Sequence, residues 1–340
     1  MALSCSAHVL LMPIDNLISN EQQLSSSYQH YIVPFCQQHL VHGEFSGVDG
    51  ISIAYAYVVH PEAIGSVVIS SGRIEAFIKY KEVIYDLYQN GYSVFIHDHR
   101  GQGLSGRMCP NSHLGYVVSF DDYVADLKIF MQKVVKANTC HQANLLCHSM
   151  GSTIGALYCL AHPADFAKVV FCAPMFGVRP PLPNCLVSLL LAANGLINRV
   201  FHNENGYFFG QKNYQSKPFL TNELTHSELR YSIFRQEYDA CPQAKLGGPT
   251  GQWLKAAVSA MDKVERLAPQ FPIPALVMQA GADEVVDNSR QSRVSARLAK
   301  CKMMVVEGAK HELLMEQDQY RQECLQGALN FFKGNNSPSL

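Results

Sequence analysis

The segment Leu145-Leu146-Cys147-His148-Ser149-Met150-Gly151 constrains this chain more than any other. An apolar run from Ala143 to Leu146 ends at a serine with small residues two positions before and two after it. A helix-forming run, Ser152 to Leu160, follows at once. Strand, sharp turn and helix with serine at the apex is the G-x-S-x-G elbow, with Cys147 at the first glycine position. The turn strains the serine backbone, so its neighbours must be small, and cysteine is small enough. Such a turn exposes the hydroxyl and aims a helix N-terminus at it. The pattern implies acyl transfer through a covalent ester.

A serine hydroxyl attacks only when a base takes its proton, and the base needs an acid to fix its tautomer. After an elbow of this kind the chain order is Ser, acid, His. Asp283, in Gln279-Ala280-Gly281-Ala282-Asp283, and His311, in Gly308-Ala309-Lys310-His311, each follow a predicted strand and supply that order. Asp287 is the rival acid, but Asp287-Asn288-Ser289 reads as a helix N-cap. Among rival histidines, His148 is turned away from the serine by the elbow, and His97 and His99 flank Asp98 at a strand end. Two backbone N–H groups are needed for the oxyanion: Met150, next after the serine, and Arg73, after the close-approaching Gly72. The Arg73 side chain reads either as a solvated loop residue or as a contact for an anionic head group. The glycine-rich run Asp98 to Ser105 lacks the phase of a phosphate loop and reads as a tight structural loop.

The chain has 340 residues, 48% of them hydrophobic, enough for a large core. A net charge of -1 argues against general affinity for nucleic acid or anionic membranes. Eleven scattered cysteines without C-x-x-C spacing imply neither a metal site nor a disulfide framework, and hence a reducing compartment. Met1 to Pro13 lacks the basic start of an export signal, and no apolar run reaches the roughly 20 residues of a membrane span. The protein is expected to be cytoplasmic, soluble or in peripheral contact with the inner membrane.

Strand and helix alternate along most of the sequence. A hairpin is expected over Gly43 to Val59, strands at Ser66–Ile69, Ser93–His97, Lys168–Cys172, Ala275–Gln279 and Met303–Val306, and helices between them. Phe120–Val135 is one such helix, with Ser119 and Asp122 as a capping pair. The pattern predicts an α/β fold with a mostly parallel central sheet and helices on both faces. Residues 178–264 break the alternation and read as a helical cap; 1–40 read as a polar, irregular extension, and 41–177 with 265–334 as the core. Within the cap, Cys185 to Ile197 could line a tunnel, touch a membrane or pack on the core. Arg179, Arg230 and Arg235 are candidates to meet a phosphate.

The pieces ISSGRIE (69–75), DHRGQGLSGR (98–107), FDDYVADL (120–127), CHSMG (147–151), APMFG (173–177), LTHS (224–227), GGPT (247–250) and VVDN (285–288) occur in order. Together they resemble the serine aminopeptidase-like and monoacylglycerol-lipase-like branch of the α/β-hydrolases, most closely its bacterial lysophospholipase L-two group. Cys147 stands where that branch usually has glycine, and Ser71 where it usually has histidine. The resemblance implies an α/β-hydrolase fold and hydrolysis of the acyl ester of a lysophospholipid or similar monoacyl lipid, with transacylation as a side activity. Ser149, Asp283 and His311 would be catalytic, and Gly72, Arg73, His148 and Met175 would lie beside the substrate. No metal or organic cofactor is expected. A monoacylglycerol lipase, a general carboxylesterase and a non-catalytic binding protein on the same fold are the alternatives.

Overall fold

The computed structural model describes residues 17–180, 184–201 and 206–334. The stretch Met1 to Pro13 and the prolines Pro181 and Pro183 lie outside the described residues. Eight strands form one sheet: β1 Val41–Ser46, β2 Ser52–Val58, β3 Gly65–Ser70, β4 Tyr92–His97, β5 Ala143–His148, β6 Phe166–Cys172, β7 Ala275–Ala280 and β8 Cys301–Val306. Their order is β1-β2-β4-β3-β5-β6-β7-β8. β1 pairs antiparallel with β2 and β2 with β4; every other pairing is parallel. The β1–β2 turn is possible because Asp49 and Gly50 take positive φ, 55° and 75°.

The central strands β3, β4, β5 and β7 are buried along their whole length, as both faces of the sheet are covered. Alternate side chains enter different cores. Val67, Ile69, Val94, Ile96, Leu146 and Met278 join one; Val68, Phe95, Leu145, Cys147, Phe171 and Val277 join the other. Helices Lys81–Gln89, Glu228–Ala240 and Asp318–Lys333 cover the first face. Helices Phe120–Phe130, Met150–Ala161 and Gly251–Leu267 cover the second. The expected capping box at Phe120–Phe130 is present: Ser119 accepts from Asp121, and Asp122 accepts from the Ser119 N–H.

One region differs from the sequence reading. Glu21–His39, read as irregular, is helical, with a π-helical segment at Tyr28–Ile32. Its buried residues Leu24, Tyr28, Ile32 and Cys36 recur every fourth position and pack on the first face. Between β6 and β7, helix Gly251–Leu267 packs on Met150–Ala161 and helix Glu228–Ala240 on the segment Phe77–Tyr80, so both flank the sheet. Helix Asn184–Phe201 lies outside them. It buries Asn194 and Asn198, which donate to the Tyr207 carbonyl, and turns Leu189, Leu196 and Val200 outward, each about two-thirds exposed (65%, 66% and 65%).

Candidate active site

β5 delivers Ser149 to the sheet's C-terminal edge. Its backbone has φ 49° and ψ −116°, a conformation costly for a side chain with a Cβ. Hydrogen bonds hold it there: the Ser149 N–H donates to Cys172 O (3.0 Å), and its carbonyl accepts from Ser152 (3.0 Å) and Met175 (3.0 Å). Gly151 is required, because a Cβ there would run into the carbonyls of Ser70 and Ser71. Cys147 fits because Gly155 opposes it; a Cβ on Gly155 would come within 2.5 Å of Cys147 Sγ.

Two loops complete the constellation. His311 lies in the loop after β8 and Asp283 in the loop after β7. His311 Nε2 is 2.9 Å from Ser149 Oγ, and His311 Nδ1 is 2.8 Å from Asp283 Oδ2. The other carboxylate oxygen of Asp283 accepts from the N–H groups of Val285 (2.8 Å) and Val286 (3.0 Å). All three side chains are buried. Burial alone would raise the Asp283 carboxyl. The electrostatic effect of His311, the hydrogen bond to it and the two backbone donors outweigh that and hold it below its ordinary range. An ionised carboxylate only accepts, so Nδ1 of His311 carries a proton and Nε2 is free to receive one from serine. Asp287 is elsewhere engaged, capping helix Asn288–Ser295 through the N–H groups of Ser289 (3.0 Å) and Arg290 (3.2 Å).

Met150 opens the helix after Ser149, where first-turn N–H groups have no intrahelical acceptor. Gly72 and Arg73 follow β3 on the opposite side. The Gly72 N–H donates to Glu75 Oε2, and the Gly72 carbonyl accepts from Gln102 Nε2 (2.8 Å). The glycine-rich loop thus braces the Gly72–Glu75 turn, and Asp98 adds to this by accepting from Phe77 (2.7 Å) and Leu104 (2.7 Å). Burial pushes Asp98 up to about 7, the backbone donors opposing it. His99 hydrogen-bonds Ser71 O and Ser70 Oγ, and His97 is buried with both ring nitrogens unpartnered.

Sequence reasoning missed the buried ionic cluster behind the serine. Glu75 accepts from Lys79 Nζ (2.6 Å), Tyr80 OH (2.6 Å) and the His148 ring (3.1 Å). Lys79 also pairs with Glu312 at 2.7 Å. His148 Nε2 is 3.2 Å from the carbonyl of His311. A carboxylate and a carbonyl can only accept, so the ring donates from both nitrogens as an imidazolium. Burial works against that charge, but Glu75 outweighs it and raises the His148 value. The same burial is overcome at Glu75, held well below its ordinary range by Lys79 and His148. Two carboxylates, one ammonium and one imidazolium leave the cluster neutral.

The motifs have local roles. Glu316, fully buried, accepts from Lys310 N (2.8 Å), His226 N (2.9 Å) and Thr225 Oγ1 (3.2 Å), so the LTHS segment braces the His311 loop. Thr250 of GGPT caps helix Gly251–Leu267. Arg230 is consumed by Glu82 and Asp318, away from the site, which removes it from the phosphate candidates. Arg179 donates to the Asp283 carbonyl at 2.8 Å.

A cavity of about 790 Å³ opens over Ser149 and His311; Met175, Phe234, Tyr238, Leu246, Trp253 and Val286 supply apolar wall. Arg73 and His148 also line it. Among the described residues, helix Asn184–Phe201 contributes nothing to this lining.

Residues 61–318 match the family described as serine aminopeptidase, S33. The chain belongs to the serine aminopeptidase S33 family. This S33 chain is 36% identical over 303 residues to lysophospholipase L2 of Escherichia coli strain K12, covering 87% of this chain and 88% of that one. It is 31% identical over 304 residues to the probable lysophospholipase L2 of Haemophilus influenzae, covering 88% and 94%. In structure it resembles the monoacylglycerol lipase of Paleococcus ferrophilus, with TM-score 0.63 and 18% identity over 87% of this chain and 98% of the other. The fold of this S33 member is the α/β-hydrolase fold expected from its sequence.

Proposed function

We propose that the protein is a lysophospholipase, a serine ester hydrolase that removes the remaining fatty-acyl chain of a lysophospholipid. The observation that carries this reading is the continuous contact Ser149–His311–Asp283, at 2.9 and 2.8 Å, beneath a cavity large enough for an acyl chain. The 36% identity to a lysophospholipase along most of both chains supports the substrate class.

Ser149 Oγ attacks the ester carbonyl as its proton passes to His311 Nε2. Asp283 stabilises the resulting imidazolium and holds the ring. The N–H groups of Met150 and Arg73 receive the oxyanion; such donors contribute about 3 kcal/mol each to the transition state. Collapse breaks the ester C–O bond, and His311 returns the proton to the departing glycerophosphodiester hydroxyl. His311 then deprotonates water, which attacks the acyl-serine, and gives that proton to Ser149 Oγ as the acyl C–O bond breaks and the fatty acid leaves. A second lipid's hydroxyl in place of water transfers the acyl chain instead.

Apolar wall residues hold the chain, each buried methylene contributing about 0.8 kcal/mol. In this reading 178–264 is the cap and 41–177 with 265–334 the core. The outward leucines of helix Asn184–Phe201 suit peripheral contact with the lipid surface that supplies substrate. Among the described residues no helix is long and apolar enough to cross a membrane. The test is release of fatty acid by purified protein from lysophosphatidyl lipids and from monoacylglycerol of the same chain length. Faster turnover of the monoacylglycerol would favour a monoacylglycerol lipase instead.

A further inference from the structure

The cavity wall is positively biased in a chain whose net charge is -1: its lining holds six Lys or Arg side chains and three Glu. Most of that charge is already compensated or spent. Glu75 and Glu312 are taken by Lys79 and His148, Glu223 faces Lys217 at 3.9 Å, and Arg179 donates to a backbone carbonyl. Lys212 also lines the cavity, and Arg73 and Arg235 are guanidinium groups packed against aromatic rings. Arg73 lies over the Trp253 ring at 5.0 Å and donates one N–H to Gly247 O at 2.8 Å. Arg235 donates to the hydroxyls of Tyr214 (2.8 Å) and Tyr231 (2.7 Å) and lies among the rings of Tyr231, Phe234 and Tyr214. The phenols of Tyr123 and Tyr207 act on Arg73, and those of Tyr214 and Tyr231 on Arg235. In both, Nε is buried without a hydrogen-bond partner. Burial pushes Arg73 down to about 10.

The two guanidinium groups brace one wall. Arg73 holds Gly247, Gly248 N donates to Lys212 O at 2.9 Å, and Tyr214 follows two residues on to meet Arg235. Aromatic faces and hydroxyls fix both forks before any ligand arrives, and Tyr231 is itself anchored by donating to Lys217 O at 2.7 Å. A planar guanidinium with unspent N–H groups matches the oxygens of a phosphate. A neutral glycerol would leave both cations uncompensated.

We infer that Arg235, together with Arg73, forms a subsite for the phosphate ester carried on the glycerol of the bound lipid. This deepens the lysophospholipase reading and rests on it for the identity of the ligand. The subsite selects phosphorylated over neutral glycerides, while the apolar wall and Ser149 treat their acyl ends alike.

The test compares kcat/KM for lysophosphatidylglycerol and for monoacylglycerol of the same acyl chain in wild type, Arg235→Gln and Arg235→Lys. The ratio of the two is expected to fall about tenfold in Arg235→Gln and to be only partly restored in Arg235→Lys, which keeps the charge but not the planar fork. A second arm measures inhibition of p-nitrophenyl butyrate hydrolysis by glycerol 3-phosphate and by inorganic phosphate. Glycerol 3-phosphate is expected to inhibit wild type, and about tenfold more weakly to inhibit Arg235→Gln. An unchanged ratio in Arg235→Gln overturns the subsite, as does an equal loss on both lipids in Arg235→Gln and Arg235→Lys. Equal inhibition by inorganic phosphate would make it a free-anion site and overturn the head-group assignment. Wild type that ignores lysophospholipids, yet shows Arg235-dependent inhibition by glycerol 3-phosphate, would keep the subsite and remove the substrate reading.

Discussion

The His148 ring donates through Nε2 to the backbone carbonyl of His311, 3.2 Å away, while its Nδ1 faces Glu75 at 3.1 Å. Because Glu75 also receives the Gly72 N–H, one imidazolium ties the turn carrying Arg73 to the loop carrying His311. Both loops must hold their places to a fraction of an ångström, and a 1 Å misplacement costs roughly 10²-fold in rate. His148→Gln is therefore expected to lower kcat by about that factor with little change in KM. Steady-state kinetics on p-nitrophenyl butyrate and the rate of fluorophosphonate labelling of Ser149 check this. A raised KM with kcat intact would assign His148 to ground-state binding instead.

The same group predicts a pH effect on stability. Its folded value is raised, so the folded protein holds this proton more tightly than the unfolded chain. Its contribution is fully present below the unfolded value of about 6.5 and is lost as pH rises through the folded value. Glu75, Glu312 and Lys79 face it, and Glu75 dominates. Thermal midpoints measured from about pH 6 to pH 9 should decline in wild type and decline less steeply in His148→Gln. Parallel curves would show that the proton is not held by folding.

Asp283 and Asp287 lie four residues apart and should separate cleanly. Asp283→Asn leaves His311 without its anionic partner and is expected to lower kcat about 10⁴-fold, as wrong-tautomer variants of such triads do. Asp287→Asn retains a good N-cap residue and should stay near wild type in both activity and stability. Collapse of activity in Asp287→Asn, with Asp283→Asn active, would reverse the assignment.

Ser149→Ala and His311→Ala should each cut turnover by several orders of magnitude, nearly as much as the double variant, because residues that act as one unit are not additive. Fluorophosphonate labelling should vanish in Ser149→Ala. Normal far-UV circular dichroism is required of each variant for the loss to count as chemical.

Gly151→Ala tests the elbow itself. Its methyl group would meet the Ser70 and Ser71 carbonyls, backbone that cannot retreat without distorting β3. A loss of roughly 3 kcal/mol or more of stability is expected, at or above the upper end for overpacking. Urea denaturation reads it directly.

The parallel strands were legible because each is a short apolar run bounded by turn residues. The candidate serine, acid and histidine stand out in the sequence because each follows such a run. The cluster around Glu75 was not. His148 is 73 positions from Glu75 and 163 from the carbonyl it meets, and no local pattern records such contacts. Helix Glu21–His39 was missed for a different reason. It buries about one residue per turn, Leu24, Tyr28, Ile32 and Cys36, too thin a stripe to stand out among polar neighbours. The spacing of four also exceeds the 3.6-residue turn, and the π-helical segment at Tyr28–Ile32 keeps the stripe in line with the sheet.

That stripe has a practical meaning for anyone trimming the protein. The family match begins at residue 61, which suggests that everything earlier is dispensable. Cutting there would remove β1 and β2, the antiparallel neighbours of β4, and strip the cover from Val83, Leu87 and their neighbours. The shortened polypeptide would offer an open strand edge and bare hydrocarbon to its neighbours, and precipitate.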